Sequence, residues 1–302
     1  FSSNILIYSI FMQDITRCEL PPDYFYYRTI SSDYLSYLHG CSKNVRVIQV
    51  GKYGQFAWAK KILGLWIIKS EKIDTPITIE QIRASGILWH GIVIWIPWSQ
   101  YLEKIDGWRS FWLPPTHNTT SGFTEIKEER EYHSLWKTRV KRALARYKKY
   151  EAAGEAKIVN ATTDEFCDAF KGTYIKYWWK EVFIEYFRAM RKSNPNDTQA
   201  WVAYHGDKPV AGLAVYDYGI KKDINSSVHM VAFTREEWKP LQVGTWLMDR
   251  WFTHCQEKGI KYLNFDHLRD NPLAKDQQGY TDFKENFIEK RYKIVTTWIK
   301  FF

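Results

Sequence analysis

The chain has 302 residues, 45% of them hydrophobic and 25% charged. That size fits two domains or one large one, and the balance excludes disordered, collagenous and low-complexity classes. Lys and Arg total 43 against 34 Asp and Glu, a net charge of +9 that favours phosphates, nucleic acid or an acidic lipid surface as partners.

The four cysteines, Cys18, Cys41, Cys167 and Cys255, form no CxxC pair, and no His pair stands at ligand spacing. No zinc site is therefore expected, and the plain reading is a reducing cytosol. No apolar run approaches the ~18–20 residues of a membrane span. Phe1–Phe11 is apolar but lacks the basic start and cleavage site of a signal peptide, and it precedes Met12. The chain is then either a fragment at this end or naturally begins at Met12.

In chain order, the first third reads as short strands. Val45–Val50 alternates at period two, Ile62–Lys69 is rich in strand formers, and Thr78 can cap a short helix. Gly86–Trp98 reads as one buried strand, and Arg109–Pro114 as another, ended by Pro114–Pro115. From Glu125 to about Ala153 the sequence predicts one charged helix, acidic at its start, basic later and stopped by Gly154.

Helix and strand then alternate. Lys157–Val159 reads as a strand, and Thr163–Arg191 as a long helix or two. Ala200–His205 and Pro209–Tyr218 predict a hairpin turned at Gly206–Asp207, followed by a strand at Ser226–Thr234. Leu241–Lys258 is an amphipathic helix closed by Gly259, and Ile260–Phe265 is a strand. A short helix around Asp282–Phe287 and a last strand, Lys293–Phe301, complete an α+β pattern.

That order resembles the acetyltransferase-like (GNAT) fold. The run LPPTHNTTSGFTEIKEEREYHSLWKTRVKRALARYKK resembles the end of the first domain of the Fem-type (FemABX) peptidoglycan aminoacyltransferases. Thr173, Lys176 and Tyr186 in TYIKYWWKEVFIEYF, the ending GIKYLNFD and the element GYTDFKENF are similar to further parts of that family. The resemblance covers about residues 85–302; residues 1–60, and the family's N-terminal phosphate-binding lysine, have no clear match.

It implies two GNAT-like domains, with mixed, mostly antiparallel sheets flanked by helices and a cleft between them. The expected boundaries are 1–124 for a degenerate first domain, 125–155 for a basic connecting helix and 156–302 for the second. It implies transfer of an amino acid from aminoacyl-tRNA to the stem-peptide amine of UDP-MurNAc-pentapeptide or a lipid-linked precursor. The expected protein is a cytoplasmic monomer, peripheral to an anionic inner membrane face, with no cofactor and no metal. Two rivals stand beside it: an acyl-CoA-dependent N-acyltransferase and a non-catalytic tRNA-binding protein. The acyl-CoA loop of GNAT enzymes reads Q/R-x-x-G-x-G/A, whereas LQVGTW puts Leu241 and Trp246 in its key places, which favours the tRNA donor.

The resemblance makes Lys284, in DFKENF, the lysine that balances precursor phosphates or the oxyanion of the tetrahedral intermediate, a contribution of about 3–4 kcal/mol for one donor. Its alternative is an exposed surface lysine. Asp266, ending LNFD, would orient the acceptor amine or merely cap a turn. His229 and His267 are candidate bases or packed histidines. Lys176, Tyr186 and Tyr280 are substrate-binding candidates, although Lys176 and Tyr186, ten residues apart on one helix, do not share a face.

Arg139, Arg142 and Arg146 do share a helical face, fringed by Lys137, Lys141, Lys148 and Lys149. They would contact the tRNA acceptor arm or the precursor's diphosphate, or simply form a solvated face. No Ser or Cys nucleophile motif, Walker loop or Rossmann fingerprint is present, so the chemistry expected is direct transfer by proximity and charge stabilisation.

Overall fold

The computed structural model describes residues 45–50, 55–71, 76–88, 90–96, 105–111, 120–127, 131–173, 177–193, 195–218, 226–268, 278–293 and 297–302. Two mixed sheets are built from them. The first holds β1 (Val45–Val50), β2 (Gln55–Ile62), β3 (Leu65–Glu71), β4 (Gly91–Ile96) and β5 (Arg109–Phe111). Its sixth strand is β13 (Thr297–Phe301), which slots between β4 and β5. The capped helix α1 (Ile79–Ala84) connects β3 to the parallel β4, with Thr78 and Gln81 forming a reciprocal capping box. Ile48, Ile68, Val93, Trp95 and Trp298 fill this sheet's core.

The second sheet runs β12 (Lys290–Lys293), β6 (Thr120–Glu125), β11 (Tyr262–Leu268), β10 (Ser226–Thr234), β9 (Lys208–Tyr218), β8 (Thr198–His205) and β7 (Ala156–Asn160) in spatial order. Helices α2 (Thr138–Ala152) and α5 (Gly244–Glu257) pack on one face. There Tyr147 stacks on Trp246, with centroids 5.5 Å apart, and Trp136 meets Phe252. Helices α3 (Thr163–Lys171) and α4 (Tyr177–Ser193) cover another core of Phe166, Phe170, Phe187 and Phe233. A final short helix, α6 (Gln278–Lys284), lies against β11.

The α+β class holds, and four local expectations are corrected. The charged helix expected from Glu125 starts only at Thr138; Glu125 ends β6, paired with Tyr262, and Tyr132–Leu135 is one 3-10 turn. Burial of Tyr132 and Trp136 against Phe252 fixes that turn, so the acids expected in the helix's first turn lie outside it. The strand expected at Gly86–Trp98 starts later, because Gly86 (φ 81°) ends the turn after α1, and among its described residues Gly91–Ile96 form β4. The last strand expected at Lys293–Phe301 is described over Thr297–Phe301, while Lys293 ends β12 in the other sheet. The short helix expected around Asp282–Phe287 instead spans Gln278–Lys284. The anticipated domain boundary after residue 124 falls within β6, which belongs to the second sheet, while β13 returns to the first.

Candidate functional site

Strands β10 and β11 run parallel through only three rungs, Ser226 with Tyr262, Ser227 with Leu263 and Val228 with Asn264. Both strands then bulge. β10 shifts register against β9 between His229 and Val231, and β11 shifts against β6 between Asn264 and His267. Bulges end pairing and re-aim side chains. In this structure they coincide, so the strands part where polar side chains collect.

Asp266 carries the second bulge. Its φ of 58° is left-handed, an expensive conformation for a residue with a Cβ. Two bonds hold it: its N–H donates to Asn264 Oδ1 at 2.7 Å, and its carbonyl accepts from Ser121 Oγ at 2.8 Å. The bulge leaves the Phe265 carbonyl to accept from Lys284 Nζ. Lys284 is buried, and its ammonium stands 4.1 Å from the centroid of the Tyr280 ring. The Tyr280 hydroxyl lies 3.3 Å from His229 Nδ1.

His229 is buried beside Trp251. Burial pushes its imidazole well below its usual pKa, the Lys284 ammonium pushes the same way, and the Asp266 carboxylate opposes them. His229 is therefore neutral at physiological pH. Tyr280 is exposed, so the cluster reaches the protein surface through this residue.

Four sequence candidates, Lys284, Asp266, His229 and Tyr280, thus form one cluster. Lys284 is buried rather than the exposed surface lysine of its alternative reading, because α6 lays its last turn over β11. Arg139 donates to Asn286 Oδ1, just after α6, at 3.0 Å. Arg142 and Arg146 are exposed on α2 with Lys137, Lys141, Lys148 and Lys149. Tyr186 is half-buried on α4, packed against the core under α3 and β8. Lys176 lies outside the described residues, as does the side chain of His267.

Sequence reading missed two groups. Asn264 is fully buried, and its amide nitrogen has no protein partner. Thr245, on the first turn of α5, is also fully buried with its hydroxyl unpartnered. Alternation along LNFD marks Asn264 as sharing a face with Tyr262, the only hint that it is buried. The LQVGTW stretch does form a helix start: Gln242 is left-handed (φ 57°), Val243 provides no side-chain cap, and Gly244 opens α5 under the Phe283 ring. Trp246 turns inward onto Tyr147, so it does not block that helix end.

A cavity of about 340 Å³ lies elsewhere, between α2, β7 and α5, lined by Glu151, Asn160, Trp246, Asp249, Arg250 and Thr253. Trp246, Asp249 and Thr253 sit roughly half a turn round α5 from Trp251, which faces His229. The cavity is therefore separate from the strand opening. Metal-ligating groups of three or more are absent among the described residues.

Residues 136–285 match the family model for the acetyltransferase (GNAT) domain. These residues are a GNAT acetyltransferase domain. The fold extends beyond it. The crystal structure of FemX superposes with a TM-score of 0.59 over 84% of this chain and 87% of that one, at 10% identity. The L-PGS structure from Bacillus licheniformis superposes at 0.50 over 91% and 93%, also at 10% identity. A third, described as a lysylphosphatidylglycerol synthetase C-terminal domain from Agrobacterium fabrum, gives 0.50 over 85% and 84%, at 10% identity. No curated protein sequence matches. The chain is a GNAT-fold acyltransferase. No helix among the described residues is long and apolar enough to cross a membrane.

Proposed function

We propose that this acyltransferase moves an amino acid from aminoacyl-tRNA to the stem-peptide amine of a peptidoglycan precursor. The observation that carries the reading is the buried Lys284 ammonium, held by a bulged strand next to a neutral histidine. The amine attacks the ester carbonyl, a C–N bond forms, and negative charge develops on the carbonyl oxygen. A buried cation stabilises such an oxyanion strongly because little water competes for it. The amine's proton passes to His229, directly or through the Tyr280 hydroxyl, and is returned to the ribose oxygen as the C–O bond breaks. Asp266 orients the incoming amine by accepting a hydrogen bond from one of its N–H groups. The exposed arginines and lysines of α2 hold phosphates of the tRNA acceptor arm or of the precursor.

A second reading, an acyl-CoA donor, is favoured by the uncapped start of α5 and the unpartnered Thr245 hydroxyl beside it. A helix N-terminus of this kind suits a pyrophosphate. The acceptor also has an alternative in the phosphatidylglycerol named in the lysylphosphatidylglycerol synthetase neighbour.

The test is a transfer assay with a pool of labelled aminoacyl-tRNAs and UDP-MurNAc-pentapeptide, beside reactions with labelled acetyl-CoA and with phosphatidylglycerol vesicles. Label on the pentapeptide, lost in Lys284→Met, supports the proposal. Label arriving only from acetyl-CoA, or only on lipid, moves donor or acceptor to the alternative.

A further inference from the structure

The β2–β3 hairpin turns on Leu63 and Gly64, both at positive φ (49° and 85°), between the paired residues Ile62 and Leu65. Such a turn ordinarily takes Asn-Gly or Asp-Gly, because a left-handed backbone disfavours a bulky side chain. The leucine obtains no packing in exchange: it is 98% exposed. Ile62 and Leu65 beside it are exposed as well.

The sheet brings more apolar surface to the same end. β3 pairs in parallel with β4, Trp66 opposite Gly91, and the Trp66 N–H donates to the His90 carbonyl. The loop before β4 therefore runs beside the hairpin turn, and its Leu88 is 76% exposed. β13 ends there too, since Gly91 and Phe302 exchange backbone hydrogen bonds, and Phe301 is exposed. Lys60, Lys61 and Arg83 are exposed around this tip, and residues 60–70 and 81–96 contain no Asp or Glu.

We propose that this end of the first sheet inserts into an anionic lipid surface, with Leu63 as the leading side chain. Leu63 is almost wholly exposed and Gly64 faces open space, as entry into the headgroup layer requires. An apolar tip flanked by Lys60, Lys61 and Arg83, with Glu80 of α1 set beside Arg83, matches a bilayer with negative headgroups: leucines reach the acyl boundary while lysines stay among phosphates. The net charge of +9 acts in the same direction.

The test is sedimentation of the full chain with phosphatidylcholine vesicles and with vesicles containing phosphatidylglycerol. Binding should need the anionic lipid, weaken with salt, and fall roughly tenfold in Leu63→Asn. That variant suits the turn better and should melt higher, so weaker binding would not reflect misfolding. Lys60→Gln with Lys61→Gln should remove the lipid preference. Binding to neither vesicle, or unchanged binding by Leu63→Asn, overturns the proposal. So does a wild-type dimer that Leu63→Asn converts to monomer, because the patch would then join copies of this chain. None of these readouts depends on acyl transfer.

Discussion

Two places in the second sheet's domain hold the same four residue types, a His, a Tyr, a Lys and an Asp. At the strand opening they are His229, Tyr280, Lys284 and Asp266. Between the 3-10 turn and α5 they are His133, Tyr132, Lys148 and Asp249. In the latter the carboxylate is the hub: Asp249 takes the Tyr132 hydroxyl at 2.8 Å, His133 Nε2 at 2.6 Å and Lys148 Nζ at 3.4 Å. Three partners from two elements close on one acid, which ties the turn and α2 to α5. At the strand opening the buried lysine is the hub, anchored on a carbonyl that a bulge supplies, with the histidine kept neutral. The same residue types make a clamp in one setting and the proposed reaction site in the other, because connectivity rather than composition sets their chemistry.

The comparison breaks most sharply at its lysines. Lys284→Met keeps the volume of the side chain and removes the charge; transfer should drop roughly 100- to 1,000-fold in kcat with the circular dichroism spectrum retained. Lys148→Met should leave transfer within about twofold, since its ammonium is exposed and far less effective. Equal losses in both variants would erase the distinction.

At the acids the expectation reverses. Asp249→Asn weakens a buried hub and should lower stability by about 1–3 kcal/mol in denaturant unfolding, while activity per folded molecule is kept. A catalytic loss without destabilisation would make the clamp part of the reaction site.

A titration sharpens the contrast further. His229 has a usual value of 6.5, and its folded value is lower. Below that usual value the unfolded chain binds the proton and the native one does not, so stability falls as pH drops below about 6.5 and is fully present above it. Denaturation midpoints across that range should show this slope in the wild type and lose it in His229→Gln. The smallest effect belongs to Tyr280→Phe, which keeps the ring over Lys284 and removes the hydroxyl; a roughly three- to tenfold loss in kcat is expected. An unchanged rate would mean that His229 exchanges its proton without the hydroxyl.

Much of this was legible in one dimension. Alternation in SSVHMVAFT, the hairpin turn at Gly206–Asp207 and Gly259 after an amphipathic helix each report a local backbone preference. Lys284, Asp266, His229 and Tyr280 could be nominated because the FKENF and LNFD elements resemble a known family. Their meeting could not be read, since it depends on two bulges and on α6 folding back over β11, contacts between residues far apart in the chain. The start of α2 was misplaced for the same reason: charges at 125–131 suit a helix locally, but pairing of Glu125 with Tyr262 overrides that preference.

By itself, then, the sequence determined the α+β order, the basic face of α2, the net positive charge and the residue types available for acyl transfer, because these rest on periodicity, capping and composition. Only the tertiary structure decided that Lys284 is buried and His229 neutral, that Asp249 is a clamp, and that Leu63 stands clear of the protein. Burial and pairing are properties of neighbours, and those neighbours arrive from other strands.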